Sequence, residues 1–207
     1  TRARSGRLLA DAPNTGTARH AKPGGVVAAI TPSTNPAATP VNKAMMAVKG
    51  GNAIIIAPPP GCWRATSATV ELMRKALSEV CAPIDLVQVL PQPVSRALTQ
   101  SLMKQADMVV ATGSQKNVRA AYGSGTPAIG VGAGNVPVII DSTADLHDAA
   151  AKVSMSKVFD NSTSCSSENS LVLLDSVYAD IVTALQQVGG YLADADERRK
   201  IQNSLWQ

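Results

Sequence analysis

Residues 26–57 read VVAAITPSTNPAATPVNKAMMAVKGGNAIIIA and have the pattern of one strand–helix–strand unit. The short β-branched and alanine-rich runs Val26–Ile30 and Ala53–Ala57 predict two strands. Between them, a turn of Thr, Pro and Asn leads into a predicted helix over residues 37–48. A helical crossover between two strands is typical of parallel pairing, so this stretch indicates a parallel sheet.

The same alternation continues to the end of the chain. Further strands are predicted at residues 84–90, 107–111, 127–131, 136–140 and 170–174, and further helices at 64–80, 94–105, 115–122, 145–159, 177–188 and 194–206. This order predicts an α/β fold whose doubly wound parallel sheet carries helices on both faces. Ligands of such sheets bind beyond the carboxyl ends of the strands, so the turns after the strands form the candidate site.

The composition excludes several classes of protein. Apolar residues make up 45% of the 207 residues, and no apolar run approaches the roughly 18–20 residues of a membrane span. The net charge of +4 is scattered, and no aromatics interleave with the basic cluster near the start, which argues against nucleic-acid binding. Three widely spaced cysteines and two distant histidines argue against a disulfide framework and a metal site. We therefore predict a cytoplasmic protein without membrane, nucleic-acid or metal partners.

The first candidate turn, residues 30–36 (ITPSTNP), joins a predicted strand to a predicted helix. Asn35 places an amide donor on a turn that two prolines hold in position, which suits stabilisation of a developing oxyanion. The alternative is that Asn35 only caps the following helix. Spacing alone favours neither interpretation.

Two glycine-containing turns follow later strands. At Thr112–Ser114, backbone N–H groups at a helix start suit a phosphate or a nicotinamide-side contact, although glycine also serves turn geometry alone. Residues 130–135 (GVGAGN) lack the last glycine of a dinucleotide fingerprint and precede a strand, so that interpretation is rejected. Three glycines in five residues still predict that the backbone passes close to another group.

Cys165 is the candidate nucleophile. It lies among small polar residues (FDNSTSCSSE, residues 159–168) between a predicted helix and a predicted strand, whereas Cys62 and Cys81 have the contexts of packing residues. A reactive thiol needs a nearby base or another group that favours its thiolate. Glu168 would disfavour the thiolate, so a helix cap or a salt bridge is its favoured interpretation.

Five segments in the same order resemble the CoA-acylating aldehyde dehydrogenases: ITPSTNP, KGGNAIIIAP, VVATGS, AAYGSGTPAIGVGAGNVPVIID and SKVFDNSTSCSSENS. The resemblance runs from about Lys22 to the end. It implies an aldehyde dehydrogenase-like fold. Residues 1–159 would form an N-terminally incomplete dinucleotide-binding domain with a doubly wound parallel sheet. Residues 160–207 would begin a second α/β catalytic domain, incomplete at its C-terminus.

The resemblance also implies the chemistry. Cys165 would attack a short-chain aldehyde, a hydride would pass to NAD or NADP, and coenzyme A would remove the acyl group from the Cys165 thioester. Acetaldehyde, propionaldehyde and sulfoacetaldehyde are all compatible with the resemblance. The Thr/Ser-rich surroundings of Cys165 and the excess of basic residues slightly favour sulfoacetaldehyde. Asn35 would hold the oxyanion. The implied dinucleotide contacts are Ile30, Thr31, Pro32, Ser33, Thr34, Ser114 and Gly132, supported by Gly113 and Gly134.

Two departures from the hydrolytic aldehyde dehydrogenases refine this expectation. Those enzymes carry a glutamate in a Glu-Leu-Gly-Gly segment that activates water, whereas Gly130–Gly134 contains no acid. The thioester should therefore persist until a thiol arrives. Their Lys-Pro-x-Glu turn is replaced by Ala57–Pro60, which leaves the choice between NAD and NADP open.

Members of this family are longer than this chain, so we expect a piece of a longer protein that is a homo-oligomer when full length. The expected location is the cytoplasm, with enclosure in a bacterial microcompartment as a variant. Two alternatives to the acylating enzyme are a hydrolytic semialdehyde dehydrogenase and a non-catalytic NAD(P)-binding fragment.

Overall fold

The computed structural model describes residues 8–12, 15–132 and 134–205. The chain divides into two compact units, Thr1–Ala133 and Gly134–Gln207, which we call the first and the second unit. Across the described ranges, no helix is long and apolar enough to cross a membrane.

A five-stranded parallel sheet forms the centre of the first unit, with strand order β5-β4-β3-β6-β7. Its strands are β3 (Val26–Ile30), β4 (Ala53–Ala57), β5 (Val87–Val89), β6 (Met108–Thr112) and β7 (Ala128–Val131). The central strand β3 pairs in register with β4 on one side and β6 on the other. Four of its five residues are buried, which explains why it is a continuous apolar run rather than an alternating one.

Helices cover this sheet on both faces. They are α1 (Ala38–Lys49), α2 (Trp63–Glu79), α3 (Arg96–Gln105) and α4 (Gln115–Tyr122). Val27 and Ala29 of β3 join a core cluster with residues of α1 and α2, while Ala28 and Ile30 join another with residues of α3 and α4. Successive strand residues point to opposite faces, so one strand contributes to both clusters. This confirms the predicted doubly wound parallel sheet.

The sequence does not predict the hairpin that precedes this sheet. Strands β1 (Leu8–Ala12) and β2 (Thr17–His20) pair in an antiparallel ribbon. Every residue of β2 is exposed, so the strand has no buried face and leaves no apolar alternation in the sequence.

Predicted boundaries in the first unit shift by at most one residue, except for two that shift further for identifiable reasons. The strand predicted at 84–90 shortens to Val87–Val89, because a 3₁₀ turn occupies Ile84–Leu86. Helix α3 begins at Arg96 rather than at residue 94. The Ser95 side chain caps it by accepting from the Leu98 N–H at 3.1 Å.

In the second unit, the parallel strands β8 (Val136–Ile140) and β9 (Glu168–Leu173) pair with each other. The helices are α5 (Leu146–Val158), α6 (Tyr178–Gln187) and α7 (Ala195–Leu205), and the core contains Ile140, Ala150, Ile181 and Ala184. Asp145 caps α5, because its Oδ1 accepts from the Asp148 N–H at 3.0 Å. The compact units divide at residue 133 rather than 159, because β8 pairs with β9 and α5 packs on α6. The predicted functional domain division stays a prediction.

Candidate active site

A cavity of about 390 Å³, which we call the carboxyl-end cavity, opens beyond the ends of β3 and β4. It brings together three of the predicted dinucleotide residues, Ile30, Thr31 and Ser114. Its wall also contains residues 58–60 and the first turns of α3 and α4. The expectation that ligands bind beyond the carboxyl ends of parallel strands therefore points to a cavity that the structure contains.

Thr31 and Ser114 are suited to a bound phosphate-containing ligand. Thr31 is 1% exposed, yet its Oγ1 has no hydrogen-bond partner in the part of the chain that the structure describes. Ser114 caps α4 by accepting from the Asn117 N–H at 3.3 Å. A buried hydroxyl without a partner beside a helix N-terminus fits the polar end of a dinucleotide.

Pro32, Ser33 and Thr34 line neither the carboxyl-end cavity nor a second cavity beside α1. Gly113 packs on Pro32, because a Cβ at Gly113 would lie 3.6 Å from Pro32 Cα, and its φ of +134° favours glycine. The cofactor roles of these residues stay predictions.

The glycines at positions 130, 132 and 134 have little room for a side chain. A Cβ at Gly130 would lie 2.6 Å from Val118 Cγ1, and one at Gly132 would lie 2.5 Å from Gln115 Nε2. A Cβ at Gly134 would collide with the backbone carbonyl of Cys165. The predicted close passage of this backbone is confirmed, and the neighbouring groups belong to the protein itself. Gly134 therefore helps to set the position of the Cys165 backbone.

We expect Gly134→Ala to lower the free energy of unfolding of the second unit by about 1–3 kcal/mol, because the Cys165 carbonyl must move. Urea titration monitored by circular dichroism measures the change. Gly61→Ala is the matched control, since no atom lies within 4 Å of its Cβ position. Equal midpoints for the two variants would show that the Cys165 loop adapts without cost.

Asn35 performs the capping role that was one of its two interpretations. Its Oδ1 accepts from the Ala38 N–H at 3.0 Å, at the start of α1. The Nδ2 group has no partner within the described ranges, so the amide keeps a free donor. The cap and the oxyanion role are therefore compatible, because they use different atoms of the same side chain.

Asn35 also lines a second cavity of about 690 Å³, which we call the α1 cavity. Lys43 is the only charged residue among those that line it. This lysine is 8% exposed and makes no ion pair or hydrogen bond within the described residues. Burial lowers the pKa of Lys43 below its usual value. A buried cation without a partner makes the α1 cavity suitable for an anionic group.

The Cys165 thiol is exposed and free. Asp160, Asn161 and Ser162 precede it in left-handed backbone conformations, with φ of 49°, 53° and 60°. Thr163 Oγ1 donates to Asp160 Oδ2 at 2.8 Å, and Ser162 Oγ donates to the Lys157 carbonyl. Such conformations cost about 1–3 kcal/mol each and cluster at functional sites. The Asp-Asn pair, which tolerates this conformation, is the signal that the sequence reasoning missed.

Buried polar atoms follow the nucleophile. Ser167 Oγ and Glu168 Oε2 are both buried without a hydrogen-bond partner in the described part of the chain. No salt bridge or cap is found for Glu168 in this part of the chain, so its favoured interpretation stays a prediction. No group of three His, Cys, Asp or Glu suited to a metal ion occurs among the described residues.

The other two cysteines differ from each other. Cys62 is half-buried, and its Sγ lies 3.7 Å from the carbonyl oxygen of Ser33, in the predicted cofactor turn. Cys81 is exposed, with a φ of 55°, so the packing interpretation is wrong for it.

Comparison with known proteins identifies the family. The profile described as "Aldehyde dehydrogenase family" matches residues 1–192, which include the candidate nucleophile. The chain belongs to the aldehyde dehydrogenase family. It is 57% identical over 186 residues to sulfoacetaldehyde dehydrogenase (acylating) of Cupriavidus necator, across 90% of this chain and 38% of that protein.

Two solved structures extend the comparison. The Rhodopseudomonas palustris propionaldehyde dehydrogenase with bound CoA and an acylated cysteine is similar with a TM-score of 0.79 and 30% identity, over 89% of this chain and 43% of that one. An engineered glycolyl-CoA reductase with bound NADP+ is similar with a TM-score of 0.81 and 31% identity, over 89% and 42%. This chain spans less than half of each protein.

Proposed function

We propose that the protein oxidises a short-chain aldehyde to an acyl-CoA, with NAD or NADP as the oxidant and Cys165 as the nucleophile. The observation that carries this proposal is the similarity to a family member whose structure holds both CoA and an acylated cysteine. The family match spans Asn35, the carboxyl-end cavity and Cys165.

Each step of this reaction is assigned to residues of this chain. The Cys165 thiolate adds to the aldehyde carbon, and the Asn35 Nδ2 donates to the oxygen that becomes negative. Thr31, Ser114 and the α4 N-terminus bind the dinucleotide, which supplies the acceptor for the hydride when it is bound. Loss of the hydride from the adduct carbon to that acceptor would re-form the C=O bond and leave a thioester on Cys165. The sulfur of coenzyme A then attacks this thioester, and the Cys165 thiolate leaves.

The acid-free segment Gly130–Gly134 accounts for transfer to coenzyme A rather than to water. Hydrolysis of a thioester needs a base that activates a water molecule. In the hydrolytic aldehyde dehydrogenases, from which this chain departs here, a glutamate in the matching segment performs that role. At Gly130, such a side chain would have to displace Val118 or Tyr122.

For the substrate, we propose sulfoacetaldehyde. The 57% identity to an acylating sulfoacetaldehyde dehydrogenase supports this choice. The α1 cavity adds a physical reason, because its buried Lys43 has no anionic partner in the described residues and a sulfonate is a permanent anion. Acetaldehyde and propionaldehyde, the alternatives, carry no charge.

We also propose a cytoplasmic homo-oligomer, with enclosure in a microcompartment as the alternative. A similar propionaldehyde dehydrogenase comes from a bacterial microcompartment, which supports that alternative.

The test measures NAD(P)H formation by the protein as expressed from its gene. With sulfoacetaldehyde we expect continuous turnover when coenzyme A is present, and at most a single turnover without it. Continuous turnover without coenzyme A would contradict the acylating function. A kcat/KM for propionaldehyde that equals or exceeds that for sulfoacetaldehyde would contradict the substrate assignment alone.

A further inference from the structure

Two cations stand at helix starts where positive charge is unfavourable. Arg96 is the first residue of α3, and Lys116 is the second residue of α4. A helix N-terminus carries a partial positive charge, so acidic residues are favoured there and basic ones are not. Neither helix has an acid in its first turn. Neither cation has a hydrogen-bond or ion-pair partner in the described part of the protein.

Both cations line the carboxyl-end cavity, where no Asp or Glu faces them. Ser95 and Ser114 cap the two helices, so both N-termini lie in the wall of the same cavity. Thr31 adds a hydroxyl that is buried to 1% exposure and has no partner among the residues that the structure describes. Two cations, two helix N-termini and a free hydroxyl together favour a ligand with more than one negative charge.

The ligands of the proposed function limit which multiply charged group can bind in the carboxyl-end cavity. NAD carries its phosphates only in the pyrophosphate bridge, whereas NADP adds a phosphomonoester on the adenosine ribose. Coenzyme A carries a similar phosphomonoester on the same ribose, at the 3′ rather than the 2′ position. Residues 57–60 (APPP) bring no acid to this wall that would repel such a group.

We propose that Arg96 and Lys116 form a clamp for the phosphomonoester on the adenosine ribose of NADP or of coenzyme A. This inference rests on the proposed function, and where the dinucleotide is the source of the phosphate it selects NADP over NAD as the oxidant. Charge-assisted hydrogen bonds to a phosphate would offset the unfavourable positions of these two cations at the starts of their helices.

Two pairs of ligands test the clamp, because the members of each pair differ by one phosphate. Calorimetry with the protein as expressed from its gene compares NADP with NAD, and coenzyme A with 3′-dephospho-coenzyme A. We expect the phosphorylated member of at least one pair to bind about 10–100-fold more tightly. The ratio in the first pair reports on the dinucleotide as the source of the phosphate, and the ratio in the second pair reports on coenzyme A.

The double variant Arg96→Gln/Lys116→Gln should bring each such ratio close to one. Both side chains are exposed, so the variant should fold. The control Lys75→Gln/Arg119→Gln removes the same charge from exposed positions of α2 and α4 outside this cavity, and it should leave the ratios unchanged.

The outcomes separate the two proposals. Equal binding within both pairs would overturn the clamp and leave the proposed function intact. If the double variant and the control lower the affinity ratio equally, the clamp is also overturned. The net positive charge of the protein would then explain the preference for the phosphorylated ligand. If none of the four ligands binds, the proposed function fails, and the clamp fails with it.

Discussion

Replacement of Cys165 by Ala should lower CoA-dependent aldehyde oxidation by about 10⁴-fold or more, because no covalent intermediate can form. Dinucleotide binding should stay within about threefold of the unchanged protein, since the residues that line the carboxyl-end cavity all belong to the first unit. Steady-state rates and calorimetry on the same preparation measure the two effects. This combination identifies Cys165 as a nucleophile rather than a structural residue.

Cys81→Ser is the matched control, because Cys81 is also exposed and free. It should retain full turnover. Iodoacetamide should inactivate the unchanged protein and Cys81→Ser alike, with the modification located on Cys165 by mass spectrometry. Turnover by Cys165→Ala near the normal rate would rule out the thioester mechanism. Inactivation that follows modification of Cys62 instead would identify Cys62, whose Sγ lies beside the Ser33 carbonyl, as the nucleophile.

The sheet could be predicted from the sequence because its central strands are buried on both faces. Val26–Ile30 and Ala53–Ala57 are continuous apolar runs for that reason, and their predicted bounds match the structure. The hairpin before them has no such signal, since β2 is exposed throughout. Burial produces the apolar pattern, and an exposed strand lacks it.

Contacts between distant residues were beyond prediction. The Val26 N–H donates to Asp107 Oδ2 at 2.7 Å, and the Gly24 N–H donates to Asn52 Oδ1 at 2.6 Å. These bonds fix the start of β3 against residues 81 and 28 positions away. Local sequence contains no record of which donor such a side chain meets.

In the candidate site, too, some residues could be predicted from the sequence and others could not. Strand ends are a property of the topology, so the sequence could indicate which turns to search, and Ile30, Thr31 and Ser114 of those turns line one cavity. Their cofactor role stays a prediction. The sequence could not identify Arg96 and Lys116, whose common cavity depends on how α3 and α4 pack. Nor could it identify Lys43, which lies in a helix with the ordinary composition of an amphipathic segment and is nevertheless buried.

Substitution of Asn35 should also have a large effect on kcat. The capping role of its Oδ1 and the oxyanion role of its Nδ2 can be tested separately. Asn35→Asp keeps an oxygen that accepts from the Ala38 N–H, and the added negative charge is favourable at the start of α1. The variant loses the Nδ2 donor, however, and places a negative charge where the aldehyde oxygen becomes negative. We expect kcat to fall by about 10²–10³-fold while the free energy of unfolding is maintained.

Asn35→Ala provides the comparison, because it removes both the acceptor and the donor. It should lose a similar factor in kcat and also about 0.5–2 kcal/mol in the free energy of unfolding, from the missing cap. Rate measurements and urea titrations on the two variants distinguish the roles. If Asn35→Asp is as active as the unchanged protein while Asn35→Ala is destabilised, Asn35 is only a helix cap, and the oxyanion donor must be sought elsewhere. If both variants lose activity and only Asn35→Ala loses stability, the Oδ1 atom holds the helix and the Nδ2 atom serves the reaction.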